Sequence, residues 1–234
     1  MEILVMLGII LLIASGIGLV AYLIYLYYQQ AKKRREEMAV IASKMGFEYQ
    51  PKDFLERQTV YSDISIFNVG HSREAKNAVT GSKNNCKIDI FDYSYKVTTS
   101  NGKTTTTVTY PYSVCIFTVP QRFRYLFIRT ENLFDKIAGA IGFDDIDFES
   151  AEFSKCFYVK SDDKKFAYDI VHQGMMDFMV NYKKVYGNPP LVEIKNNRVA
   201  FYRKGFIKPE KYIELYNFAG DFYKKTPNYV LEER

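Results

Sequence analysis

The sequence predicts an α+β fold: an N-terminal transmembrane helix, then a largely antiparallel sheet with several packed amphipathic helices. Three observations carry this. From Ile3 to Tyr28 no residue bears a formal charge, and the basic block Lys32, Lys33, Arg34, Arg35 follows closely. Beyond it, stretches rich in Tyr, Ile, Val and Thr come in hairpin-like pairs, not alternating one by one with helices as a parallel sheet requires. Other segments repeat apolar residues at helical spacing. The division that results is a span over 3–28, a juxtamembrane basic and amphipathic helix over 29–46, an α+β soluble domain over 47–226 and a C-terminal tail over 227–234.

The span comes first. A membrane-crossing helix needs about 20 apolar residues, so 3–28 crosses with some tilt. A cleavable signal has a basic leading region and a shorter apolar core, whereas only Met1 and Glu2 precede this run. The reading is a retained anchor. Lys and Arg beside a span stay on the cytoplasmic side, which places the N-terminus outside and everything from Gln29 onward in the cytoplasm. Tyr22, Tyr25, Tyr27 and Tyr28 gather at the same end, where amphipathic rings favour the headgroup layer. Lys32, Lys33, Arg34 and Arg35 can also contact anionic lipid, at about 1 kcal/mol per base, although a topology signal alone accounts for them. Ala14 and Gly18 form a small-xxx-small pair that lets two spans approach. Such pairs also arise by chance, so self-association through the span stays an open expectation.

Composition narrows the function classes. Charged residues make up 25% of the 234 positions, ordinary for a folding domain. The net charge of +5 is partly concentrated in the basic block, and no nucleic-acid-binding motif accompanies it. Cys86, Cys115 and Cys156 are odd in number and lack CxxC spacing. That pattern suits a reducing compartment better than a disulfide framework or a zinc site.

The remaining elements follow in order. Residues 29–46 continue as a helix with Met38, Ile41, Ala42 and Met45 on one stripe and Gly46 as its stop. "SDISIFNVG" and "AKNAVTGS" read as short strands. A long hairpin then spans "CKIDIFDYSYKVTTSNGKTTTTVTYPYSVCIF". Asn101-Gly102 predicts a two-residue turn with Ser100 facing Lys103. That register sets Phe91 opposite Tyr112 and Tyr93 opposite Tyr110 on one face, and Ile88 opposite Cys115 on the other. Pro111 marks its strand as an edge or a bulge. The exposed tip, Asn101, Gly102, Lys103, Thr104 and Thr105, is a candidate binding loop, or simply a wet strand end. "TENLFDKIAGAIGF" reads as a short helix between Thr130 and Gly142. "DIDFE" and "SKCFYVKSDD" read as strands, and "KKFAYDIVHQGMMDFMVNYKKVYG" as one long helix with Ala167, Ile170, Val171, Gly174, Phe178, Met179 and Tyr182 on one face. "PLVEIKNNRVAFYRKG" reads as a second hairpin turning at Asn196-Asn197. Pro209 opens a last helix lined by Tyr212, Leu215, Tyr216, Ala219 and Phe222.

The segments "NAVTGS…DIFDYSY", "TENLFDKI…DDIDFESAEFSKCFYV" and "VEIKNNRVAFYRKGFIKPEKYIEL" are together similar to a family of single-span membrane-anchored proteins of bacteria and archaea. The resemblance covers about residues 38 to 225 and rests on the order of segments as well as their chemistry. It implies an anchored domain, and it carries over no functional residue.

Catalytic motifs are missing: no GxxxxGK[ST], no GxGxxG after a strand, no HExxH and no GxSxG. His172 with Asp169 three residues earlier could meet on a helix surface, but a solvated histidine explains the pair as well. Asp145, Asp147 and Glu149 would share one side of a strand and could hold Mg²⁺ or Ca²⁺ through oxygen. A solvent-facing strand explains them equally. Asp92, between two aromatic residues, is expected to accept hydrogen bonds from Tyr or Thr hydroxyls. No catalytic residue is assigned. The reading is a membrane-tethered cytoplasmic interaction or scaffold domain, with the lipid bilayer and an unidentified protein as partners and no cofactor. The alternative is a membrane-bound enzyme using the carboxylate cluster, with a divalent cation.

Overall fold

Forty-four residues of continuous helix, α1 (Glu2–Met45), open the chain. The structure, a computed structural model, describes residues 1–52, 56–130 and 146–232. Every residue from 5 to 30 is exposed. In water, leaving Leu11, Leu12, Ile13 and Leu19 uncovered would forgo about 1.5–3 kcal/mol each, a penalty that lipid removes. The helix is therefore a membrane anchor in its first part. Its last turns behave differently: Met38, Ile41 and Ala42 are buried against the domain. Gly46, at φ 70°, ends it as a left-handed cap. Gly81 then lets Phe47 close onto the sheet, since a Cβ there would lie 2.1 Å from the Phe47 ring.

One six-stranded antiparallel sheet organises the rest. Its strands are β1 (Glu48–Lys52), β2 (His71–Lys83), β3 (Cys86–Ser100), β4 (Thr105–Thr130), β5 (Phe157–Ser161) and β6 (Leu191–Lys204). β4 is the spine. It pairs with β3 and then β5 along one side, and with β6 along the other. The helices are α2 (Arg57–Val60), α3 (Ala151–Cys156), α4 (Lys164–Ile170), α5 (Gln173–Tyr186), α6 (Lys211–Lys225) and α7 (Asn228–Glu232).

Alternation along the strands builds two cores. Ile88, Ile90, Cys115, Phe117, Val192 and Phe201 face a layer formed by α4, α5, α6 and the end of α1. Phe91, Tyr93, Tyr112, Val114, Ala200 and Tyr202 face the other way, toward Tyr61, Ile64, Ile66 and Phe67. Period-two alternation is what permits both faces to be apolar while the strand ends stay polar.

Several expectations are corrected. The long hairpin forms, but Ser100 faces Thr105, Tyr93 faces Tyr112 and Ile88 faces Phe117. The loop has four residues, because the Asn101 side-chain oxygen accepts from the Lys103 and Thr104 amides and closes a wider turn. The slip is by two residues, which leaves every side chain on its expected face. Thr105 is thus the first residue of β4, not part of the loop. Pro111 lies just beyond the end of β6, where its carbonyl accepts from the Gly205 amide at 2.8 Å and the Gly205 carbonyl accepts from the Ser113 hydroxyl, so the pairing needs no N–H from the proline. "SDISIFNVG" is not a strand. A 3₁₀ turn over Ser65–Asn68 carries Ile66 and Phe67 into the second core beside Tyr61 and Ile64. Residues 146–149 of "DIDFE" are not a strand either: the Ser150 hydroxyl accepts from the Phe153 amide and starts α3 instead. α3 also takes Ser154–Cys156 from the expected strand.

The expected long helix is broken in two. His172 caps α5, its Nδ1 accepting from the Gly174 amide, and Val171 leaves the helical region. Asn196-Asn197 is no turn. β6 runs straight through with Asn196 at φ 53°, because β4 continues well past the hairpin and offers it a partner along its full length. β4 itself carries extra residues between Thr118 and Leu126 to absorb the bend. Residues expected as a C-terminal tail include α7, with Val230 buried. The helix expected between Thr130 and Gly142 lies outside the described residues.

Candidate functional site

The basic block that follows the span is not uniform. Lys32 and Lys33 point outward and pair with Glu36 and Glu37 at 3.9 and 3.8 Å. Arg34 is turned into the domain. It precedes Met38, Ile41 and Met45 by four, seven and eleven residues, so helical geometry puts it on the buried stripe. Its Nε and Nη2 donate to the two Asp92 oxygens at 2.7 and 2.6 Å, and Nη1 donates to the Ile207 carbonyl at 2.9 Å.

Asp92 is fully buried on β3, on the face that carries Ile88 and Ile90. A carboxylate there must be paired and hydrogen-bonded to be tolerated. Besides Arg34 it accepts from Asn77 Nδ2 at 2.8 Å and from the Tyr212 hydroxyl at 2.5 Å. Four donors for two oxygens satisfy it. The four come from three residues on three elements: two from Arg34 on α1, one from Asn77 on β2 and one from Tyr212 on α6. Asn77 reaches inward because it occupies a bulge at φ 52°. Burial, and then the Asp92 charge, push the Tyr212 hydroxyl well above the ordinary tyrosine range, so it stays a donor. The expected tyrosine hydroxyl bond to Asp92 is present, and the arginine is the larger partner.

Beside this junction lies a groove of about 740 Å³. Tyr27 and Tyr28 at the end of the apolar run form one wall, and Phe206 from the loop after β6 forms another. Ser113 holds that loop, accepting from the Ile207 amide at 2.9 Å and donating to the Gly205 carbonyl at 3.0 Å. The Arg34 guanidinium and the Lys76 ammonium stand 5.4 and 5.5 Å from the Phe206 ring, and Arg35 stands 5.8 Å from the Tyr28 ring.

Other ionisable groups serve the fold. Asp89 accepts from Thr80 at 2.6 Å, from Arg57 at 3.2 Å and from the Tyr61 hydroxyl. Burial alone would raise it, but Thr80, Tyr61 and Arg57 together hold it below the usual carboxylate range. Glu193, on the opposite core, accepts from the Ser65 amide at 2.9 Å, the Ser65 hydroxyl at 2.6 Å and Tyr202 at 3.0 Å. Burial wins there and pushes it up.

The remaining sequence candidates do not converge. Asp145 lies outside the described residues, while Asp147 and Glu149 are exposed on an irregular segment. Among the described residues no group of three or more His, Cys, Asp or Glu side chains is placed to hold a metal ion. His172 does not meet Asp169: its Nε2 faces the Lys225 carbonyl at 3.0 Å, and Asp169 accepts from Tyr229. The tip residues 101–105 are exposed. Sequence reasoning read Arg34 as a lipid-facing base and Tyr212 as a lining residue of the last helix, not as partners of Asp92, and it did not single out Asn77 or Phe206. The spacing from Arg34 to Met38 and Ile41 was the available signal.

No family model and no curated protein matches the chain. Among solved structures it is similar to the crystal structure of the mycobacterial trehalose monomycolate transport factor A. The TM-score is 0.54 at 14% identity, over 84% of this chain and 96% of that one. What the two share is the fold.

Proposed function

We propose that the protein is a membrane-tethered interaction or scaffold domain on the cytoplasmic side, acting by binding, with its N-terminus outside. The observation that carries this is the Arg34–Asp92 pair, which fastens the last turns of the anchor into the core of the domain. A tether that only localised a domain would need no such bond; this one fixes the attitude of the domain to the bilayer. The basic block and the tyrosine cluster at the end of the span support the orientation. That the protein sharing this fold is described as a transport factor agrees with an accessory role at a membrane. The exposed tip, Asn101 to Thr104, is the surface this reading offers to a protein partner.

Labelling in intact cells tests both parts. With the native cysteines replaced, Lys224→Cys is expected to resist a membrane-impermeant maleimide until lysis, and labelling before lysis contradicts the orientation. A photo-cross-linking residue at Thr104 is expected to give one discrete protein adduct. Failure to form any adduct contradicts the partner at the tip.

A further inference from the structure

The geometry points to the groove between the anchor and the domain as a site for the phosphate of an anionic lipid headgroup. The inference rests on the anchor reading above and adds a ligand to it.

Charge is the first argument. Among the described residues, the groove is lined by Arg34, Arg35, Lys52, Arg73 and Lys76 against one carboxylate, Glu74. Asp92 neutralises Arg34, and Glu74 lies 3.6 Å from Lys76. Arg35, Lys52 and Arg73 have no carboxylate partner among the described residues. Three uncompensated cations around one concavity attract a dianion or a phosphodiester.

Preorganisation is the second. The Arg73 guanidinium is held by backbone carbonyls, Nε to Val69 at 3.3 Å and Nη2 to Asn68 and Gly70 at 2.9 and 3.1 Å. Nη1 makes no hydrogen bond among the described residues, which leaves its two N–H donors available on a fixed plane. An arginine already immobilised loses little freedom when it donates to a phosphate oxygen.

Position is the third, and it selects the source of the phosphate. From Tyr27 to Arg34 is seven residues, about 10 Å of helix rise. The polar layer on each side of a bilayer is about 5–8 Å deep, so the cations stand at its outer edge. Tyr27, Tyr28 and Phe206 give the groove an aromatic wall continuous with the apolar span. A soluble phosphate has no use for that wall. A phospholipid does, with its phosphate among Arg35, Arg73 and Lys76 and its glycerol and chains descending past the tyrosines.

The test uses the full chain in neutral-detergent micelles, with bound lipid read by native mass spectrometry. Phosphatidylglycerol and phosphatidylcholine are offered in turn. The wild-type chain is expected to retain one phosphatidylglycerol in preference to phosphatidylcholine. Arg35→Gln with Arg73→Gln is expected to weaken retention about twenty-five-fold, from roughly fivefold per base near an anionic surface. Because Arg73 braces a loop, Arg35→Gln with Lys52→Gln serves as a second variant that breaks no hydrogen bond or ion pair among the described residues, and it should fall in the same direction. Equal retention of both lipids, or retention unchanged in both variants, overturns the proposal. Displacement of the lipid by millimolar inorganic phosphate would also overturn it, as the mark of a general anion site. Carbonate extraction of native membranes separates this from the parent reading. A chain that leaves the membrane has no anchor; a chain that stays but does not discriminate lipids lacks only the headgroup site.

Discussion

Asp92 and Glu193 are both fully buried carboxylates on opposite faces of one sheet, and they are held in opposite ways. Asp92 faces the helical layer and meets a guanidinium brought in by the anchor, with Asn77 and Tyr212 completing its shell. Glu193 faces the smaller core and meets only neutral donors, Ser65 and Tyr202. A charge that needs a cation from a distant segment specifies where that segment docks. A carboxyl satisfied by hydroxyls and an amide specifies only its own neighbourhood, and it can be neutral as well as ionised. The fold therefore uses one buried acid as a latch between anchor and domain and the other as a local fastening.

Removing the latch cation should have the largest effect. Arg34→Leu leaves Asp92 buried beside neutral donors, and loss of one partner of a buried pair costs about 3–5 kcal/mol. Chemical denaturation of the full chain in micelles should show it. Arg34→Leu combined with Asp92→Leu should recover most of the loss, because no unpaired charge remains. A double variant as unstable as the single would contradict the latch account. Tyr212→Phe comes next. It deletes one charge-assisted donor to Asp92, worth about 1.5–3 kcal/mol, and a change inside measurement error would mean that the hydroxyl is incidental.

How much of this was legible in the sequence differs by element. The anchor, the stop at Gly46, the two-faced hairpin and the last helix follow from uninterrupted local patterns. The register of the hairpin was not legible, because the Asn101 side chain can close a loop of two residues or of four. The strand read at "SDISIFNVG" and the turn read at Asn196-Asn197 failed because a tertiary partner decided them: the second core in one case, the long β4 in the other. The latch was half legible. Arg34 lies on the same helical stripe as Met38 and Ile41, and Asp92 on the same strand face as Ile88 and Ile90, but nothing local joins positions 58 residues apart.

The smallest expected effect concerns Glu193 and sharpens the contrast. Its folded-state pKa is raised by burial. A raised carboxyl contributes stability that is complete below its unfolded value, about 4.3, and that is lost as pH rises through the folded value. Glu193→Gln should flatten that decline and match or exceed the wild-type chain at neutral pH. A variant that loses stability across the whole range would show that the ionised form is needed, and the two acids would then be alike.

Arg34 and Asp92 should hold the domain at one attitude to the anchor, and a distance measured across the junction reads that attitude. Spin labels at Lys33→Cys and Lys224→Cys, with the native cysteines replaced, report the separation of anchor and domain for the full chain in lipid nanodiscs. A single narrow distance distribution is expected, and it should broaden in Arg34→Leu. A broad distribution in the parent chain, or one just as narrow in the variant, would contradict it.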